Sequence, residues 1–146
     1  MQLESMYQEL ILDHYKHPQG KGLKAPFDAE VHHVNPTCGD EITLRVARDE
    51  GGFSISYENQ GCSISQASAS MMFDLINGRS YADAMRVADA FGTMMQTQGA
   101  GEPNEALLED AVAFHGVSKY PARVKCALLG WMAYKDAAAA AIARKA

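Results

Sequence analysis

Residues 42–57 read ITLRVARDEGGFSISY. Ile42, Leu44 and Val46 alternate with Thr43, Arg45 and Ala47, and Phe53, Ile55 and Tyr57 alternate with Ser54, Ser56 and Glu58. A period of two sends one set to a buried face and the other to an outer face. Asp49-Glu50-Gly51-Gly52, between the two runs, supplies the residues of a tight turn. The stretch therefore reads as a β-hairpin. If its turn centres between Glu50 and Gly51, Asp40 falls opposite Gly61. A slip of one residue would change which side chains face together, but not the closeness of the two ends.

Outward from the hairpin, the pattern becomes helical on both sides. Met6, Leu10 and Ile11, with Tyr7 and His14, recur at helical spacing over residues 4–16, and Pro18 and Gly20 end that segment. HPQGKGLKAP reads as loop, and Ala29 to Val34 as a short strand. After the hairpin, Ser63-Ile64-Ser65-Gln66 forms a capping box that opens a helix running to Asn77-Gly78. Ser80 opens another, with Tyr81, Met85, Ala88 and Phe91 facing inward. QGAGEPN is a loop, Asn104 caps a helix ending near His115-Gly116, and Pro121 stands in the first turn of a last helix that runs through Trp131 into an alanine-rich tail. The fold class predicted is α+β: an N-terminal helix, a small three-stranded antiparallel sheet, then several helices packed on one side of it. The 146 residues contain no internal repeat or linker and suit a single domain over 1–146.

Composition excludes several functions. At 47% hydrophobic residues the chain can build one ordinary core, and its net charge is −5. No basic stripe runs along it, which argues against nucleic acid as a partner. No apolar run reaches the length of a membrane span. MQLESMYQELILDHY has neither the basic start nor the apolar run of a signal peptide, so a cytoplasmic protein is expected. Three cysteines, an odd number, argue against a disulfide framework and leave buried thiols, metal ligands or catalytic groups.

Those cysteines are not scattered at random. Asn35-Pro36-Thr37-Cys38-Gly39-Asp40 is a turn on chemical grounds, and a surface turn is a poor place to hide an inert thiol. The hairpin brings Cys38 and Asp40 beside Cys62, at one end of the sheet. Cys62 stands just before the predicted N-cap, where backbone N–H groups and the helix dipole favour a thiolate. Gly61 before it permits an unusual backbone angle and close approach. Cys126 lies early in the last helix, in KYPARVKCALLGW; nothing local forces it toward the hairpin end, but a helix packed on the sheet can bring it there. Three sulfurs and one oxygen suit tetrahedral zinc, and the carboxylate is unusual for a purely structural site. Three thiolates and a carboxylate carry four negative charges, so Arg123 or Lys125 nearby would help. Spacing alone favours scattered thiols over a metal site, because C-x-D is no zinc knuckle and no C-x-x-C occurs.

Long, unusual stretches in a fixed order add a resemblance: YQELILDHYKHP, NPTCGDEITL, GCSISQASASMM and YPARVKCALLGW. Nearly end to end, the chain resembles the SufU family, relatives of the IscU iron–sulfur scaffolds. The resemblance implies that Cys38, Asp40, Cys62 and Cys126 bind zinc, with Arg123 and Lys125 as possible supporting residues. It implies a zinc-dependent sulfurtransferase that works with a cysteine desulfurase (SufS-like, carrying its own pyridoxal phosphate, so none is needed on this chain). By the same resemblance, Cys38 is the persulfide acceptor, freed when a desulfurase histidine replaces it on zinc, and the sulfur passes to downstream iron–sulfur assembly machinery. The alternative is an IscU-type scaffold that assembles an iron–sulfur cluster and hands it on; a third is a binding module whose zinc is only structural. Three departures from the IscU scaffolds favour transfer. Lys125 replaces the histidine that precedes their third cysteine. Tyr120-Pro121-Ala122-Arg123-Val124-Lys125 stands where their Leu-Pro-Pro-Val-Lys chaperone-docking motif would be. GAGEPNEALLEDAVAFHGVSKY adds residues typical of the SufU type.

The remaining chemistry-bearing residues read as structural. His14 and His17 are one turn apart but suit a surface or helix end. His32 and His33 face opposite ways on a strand. Met71, Met72, Met94 and Met95 suit core packing or a partner surface. Arg123 divides evenly between pairing at its helix and steadying the site, and Asp40 could simply satisfy its own turn.

Overall fold

The computed structural model describes residues 5–145 and has the α+β order expected. Helix α1 (Ser5–Lys16) precedes β1 (Ala29–Asn35), β2 (Asp40–Asp49) and β3 (Gly52–Gln60). Helices α2 (Ser63–Ile76), α3 (Tyr81–Met95) and α4 (Glu105–Leu108) follow, then a 3-10 helix (Glu109–Lys119) and α5 (Pro121–Lys145). The predicted start at Glu4, and residues 1–4 and 146 of the expected domain, lie outside the described residues.

The sheet is antiparallel with order β1-β2-β3. Its hairpin has the register read from the turn: Asp49 pairs with Gly52, Leu44 with Tyr57 and Glu41 with Gln60. Ile42, Leu44, Val46, Ile55 and Tyr57 are buried on the inner face, as period-two alternation requires. β1 runs one residue further than predicted because Asn35 pairs with Asp40. His32 and His33 do face opposite ways: His32 Nδ1 meets Thr43 Oγ1 at 2.9 Å, and His33 Nε2 meets Asp136 Oδ2 at 2.9 Å.

α5 packs against β1, β2 and α2. Ala133, Ala137, Ala138 and Ala141 are buried, so the alanine-rich tail is a packing surface. Alanine lets the helix approach its neighbours closely at little side-chain entropy cost. Trp131 locks α5 to its other neighbours: its ring stacks on Phe91 at 4.4 Å between centroids, and its Nε1–H donates to Ser68 Oγ at 3.0 Å. Ser68 Oγ in turn donates to the Ala127 carbonyl at 2.6 Å. The four methionines Met71, Met72, Met94 and Met95 are all core.

Three expectations need correction. Tyr81 is 38% exposed and meets Phe53 edge-on, while Met85 is partly buried and Ala88 and Phe91 fully so. Asn104 does cap the Leu107 N–H, but the α-helix stops at Leu108 instead of continuing to His115. Glu109 takes a left-handed φ of 47°, and a 3-10 coil continues to Lys119, burying Ala111, Val112, Ala113 and Phe114 in succession. Four consecutive buried residues suit a tight coil wedged among helices better than an amphipathic α-helix with a wet face. His14 is buried on the inner side of α1, where Nδ1 meets Ser70 Oγ at 2.7 Å. Among the described residues, no helix is long and apolar enough to cross a membrane.

Ser68 holds both α5 and the indole of Trp131, so its removal leaves a buried donor without its partner. Ser68→Ala is expected to lower the unfolding free energy by about 1–3 kcal/mol. Urea titration followed by tryptophan fluorescence checks this; an unchanged midpoint and slope would show that the joint carries no net stability.

Candidate metal centre

The three sheet strands, the start of α2 and the start of α5 converge at one end of the sheet. The chain turns there between β1 and β2. The Asn35 carbonyl accepts two backbone bonds, from Cys38 N–H at 3.2 Å and Gly39 N–H at 2.9 Å. Gly39 has a φ of 71°, a left-handed angle that favours glycine, and the turn leaves Cys38 half-buried at the rim.

Asp40 opens β2 on the inner face, the same side as Ile42 and Leu44, and is fully buried. A buried carboxylate needs partners. Its Oδ1 accepts the Cys62 backbone N–H at 2.8 Å, and its Oδ2 lies 3.8 Å from Cys62 Sγ. Gly61 makes that approach possible: its φ is 143°, and any Cβ there would collide with Asp40 Oδ1. The predicted cap on Ser63 is corrected by one residue. Cys62 is itself the N-cap of α2 and makes no side-chain cap bond, while Gln66 Nε2 donates to the Gly61 carbonyl at 2.8 Å instead of completing a capping box. The sulfur of Cys62 is thereby left free to face Asp40.

Cys126 enters from the first turns of α5 and is fully buried. Its Sγ lies 3.1 Å from Cys38 Sγ, and its thiol points to the Ala122 carbonyl at 3.6 Å. Cys38 Sγ also reaches that carbonyl, at 4.0 Å. The ligand atoms of Cys38, Asp40 and Cys126 all lie within 4.8 Å of one another; Cys62 stands outside that set and joins it through Asp40. Burial, then hydrogen bonding with Cys38 and Asp40, pushes the Cys126 thiol well above its ordinary range. Arg123 is exposed at the mouth, and its guanidinium is held above its usual range by hydrogen bonding with Cys126 and by the charges of Cys62, Cys126 and Cys38. Lys125 is exposed, and no hydrogen bond or ion pair among the described residues joins it to the four.

The donor set fits a soft divalent ion such as zinc: up to three sulfurs and one carboxylate oxygen in one pocket, with a cation at its mouth. The same thiols suit sulfur chemistry. Sequence reasoning saw Asn35 only as a turn residue. Here it is a buried polar side chain on the inward face of β1, with its Nδ2 at 3.9 Å from Cys126 Sγ. Extending the period-two alternation of the sheet back through β1 would have flagged it as an inward amide.

The chain matches the NifU-like N-terminal domain family over residues 6–127. It is 41% identical over 138 residues to the zinc-dependent sulfurtransferase SufU of Bacillus subtilis, covering 94% of this chain and 92% of that protein. It is 40% identical over 136 residues to the iron–sulfur cluster assembly scaffold protein IscU of Streptococcus pyogenes, covering 92% of this chain and 84% of that one. Among solved structures, the putative iron–sulfur cluster assembly scaffold protein for the SUF system from Fervidobacterium islandicum superposes with a TM-score of 0.80 at 31% identity, covering 91% of this chain and 97% of that one.

The geometry sets an order of thiol reactivity. In metal-free protein at about pH 8, iodoacetamide is expected to modify Cys38 and Cys62 at least about tenfold faster than buried, largely protonated Cys126. Peptide mass spectrometry along a time course measures it, and equal rates at all three would contradict the burial of Cys126.

Proposed function

The chain belongs to the NifU-like N-terminal domain family, and on that premise we propose that it is a zinc-dependent sulfurtransferase, acting as one domain over 1–146. In this reading it accepts persulfide sulfur from a partner cysteine desulfurase and passes it to iron–sulfur cluster assembly. The observation that carries the reading is the asymmetry of the thiol cluster. Asp40 and Cys126 are buried within β2 and α5, and Cys62, the N-cap of α2, is pinned by its backbone N–H to Asp40, whereas Cys38 rides the glycine turn between β1 and β2.

Cys38, Asp40, Cys62 and Cys126 would hold the ion, and zinc bound there would keep their thiols ionised at neutral pH while damping their nucleophilicity and exposure to oxidation. The residues themselves do the rest. Asp40 is fixed by the Cys62 N–H and presents its second oxygen to the pocket. Arg123 offsets part of the negative charge that three thiolates and a carboxylate concentrate there. The Cys38 turn supplies a thiolate that can swing outward without unfolding a strand or helix. Released, the Cys38 thiolate attacks the terminal sulfur of the desulfurase persulfide. A new sulfur–sulfur bond forms on Cys38, the old one breaks, and the desulfurase cysteine leaves as its thiolate, so no external oxidant or reductant is needed.

The scaffold reading is carried by the similarity to proteins named IscU, at nearly the same identity. An iron–sulfur cluster would then be cargo on the same cysteines. Lys125 argues against it, because an exposed ammonium, which has no lone pair to give a metal, stands where the resembled scaffolds have a histidine that could ligate.

Metal analysis of the purified protein is expected to give one zinc per chain. Cys38→Ala should lose at least about 90% of the stimulation given to a cysteine desulfurase, a loss on the scale of a missing nucleophile. Normal stimulation by that variant would remove Cys38 from the acceptor role, and a stable coloured cluster that transfers intact after anaerobic reconstitution would favour the scaffold. Asp40→Ala, which deletes both the oxygen donor and the cap on α2, is expected to lower zinc content and thermal midpoint together; retention of both would exclude Asp40 as a ligand.

A further inference from the structure

Among the described residues, one side-chain amide contacts a sulfur of the cluster without being a candidate ligand. Asn35 is buried, 7% exposed, at the last position of β1. Its Oδ1 accepts the Thr37 backbone N–H at 3.3 Å, and its Nδ2 faces Cys126 Sγ at 3.9 Å. The Thr37 donor fixes the orientation of the amide, because an N–H needs an oxygen opposite it. The Nδ2 hydrogens must therefore lie on the sulfur side. Together with its carbonyl bonds to Cys38 and Gly39, one residue organises the whole turn and also touches the buried thiol.

The three sulfurs are consequently not equivalent. Cys126 receives the Asn35 amide and faces the Arg123 guanidinium, so two donors spread the charge of its thiolate. Cys62 faces Asp40 Oδ2, and Cys38 faces the Ala122 carbonyl and Cys126; neither sulfur has an amide donor among the described residues. We propose that Asn35 is a positioning residue that anchors Cys126 as the permanent member of the cluster and holds the Cys38 turn over it, leaving Cys38 as the member that departs. This rests on the sulfur-transfer reading and adds to the mobility of the Cys38 turn a reason for Cys126 to stay. Partners behind a ligand that orient it and tune its charge are worth about 10–100-fold in metal affinity.

Two substitutions separate the two jobs of the amide. Asn35→Ala removes both. Asn35→Asp keeps an oxygen for the Thr37 N–H but loses the donor to Cys126. Because the Asn35 side chain covers the buried Cys126, in metal-free protein Asn35→Ala is expected to raise the iodoacetamide rate of Cys126 relative to Cys62 about tenfold, the gain in access outweighing the lost donor, and Asn35→Asp, which restores the cover, to bring that ratio back toward the parent value. Zinc affinity, read by competition with a chromophoric chelator, is expected to fall about 10–100-fold in Asn35→Ala and to stay at least about tenfold low in Asn35→Asp. A purely structural turn role would be rescued by aspartate in both measurements. The proposal is overturned if Asn35→Ala leaves the Cys126-to-Cys62 ratio unchanged, or if Asn35→Asp restores zinc affinity. Should Asn35→Ala fail to fold, Asn35→Asp carries the decision through its zinc affinity. A parent protein that binds no zinc would instead sink the sulfur-transfer reading, and the labelling ratio in metal-free protein would then decide the placement of Cys126 by itself.

Discussion

The hydrogen bond from the Cys62 backbone to the buried Asp40 carboxylate, 2.8 Å long, ties sheet, helix and site together. It joins the first residue of β2 to the N-cap of α2 across the open end of the hairpin. A buried carboxylate without such a donor would carry a heavy desolvation cost, and an N-cap without an acceptor would leave an orphan N–H. Each solves the problem of the other. The contact also dictates Gly61, since a side chain there would occupy the space of the carboxylate. Fold and candidate site are therefore not separable at this point: the carboxylate that satisfies a helix end is also a member of the Cys38–Asp40–Cys126 cluster.

The sheet was legible because alternation of apolar and polar residues decides that Ile42, Leu44, Val46, Ile55 and Tyr57 share the buried face, and the Asp49-Glu50-Gly51-Gly52 turn decides the register. That register alone placed Asp40 beside Cys62. Local sequence said much less about Cys126, whose arrival depends on how α5 packs against the sheet and α2, and packing of that kind is a property of the whole core. It was reached through resemblance, and the structure now places its sulfur 3.1 Å from that of Cys38. The errors fell where local signals compete with packing. Ser63 has the chemistry of a cap but sits one residue inside the helix, because the Gly61 conformation and the Asp40 bond move the boundary to Cys62. The Glu105–Lys119 segment has helical composition, yet tertiary wedging turned most of it into a tighter coil.

Electrostatics explains why the site sits at an edge. Buried thiols resist ionisation, as Cys126 does here, and a pocket closed on every side would hold them protonated. Opening one side places the Arg123 guanidinium within reach of the sulfurs and leaves the turn of Cys38 free of covering structure. The rigid half of the pocket is supplied by α5, whose alanine face is pressed into the sheet so that its early turns have little freedom to shift.

The depth of that alanine face has a consequence for biosynthesis. A ribosome delivers Cys38, Asp40 and Cys62 long before Cys126, and the hairpin and α2 can gather the first three locally. Cys126 joins only after α5 has been made and has docked along β1, β2 and α2. Until then the nascent chain has two thiols and a carboxylate, too few for a closed tetrahedral set. The complete cluster of three thiols and a carboxylate thus exists only once the core has been assembled.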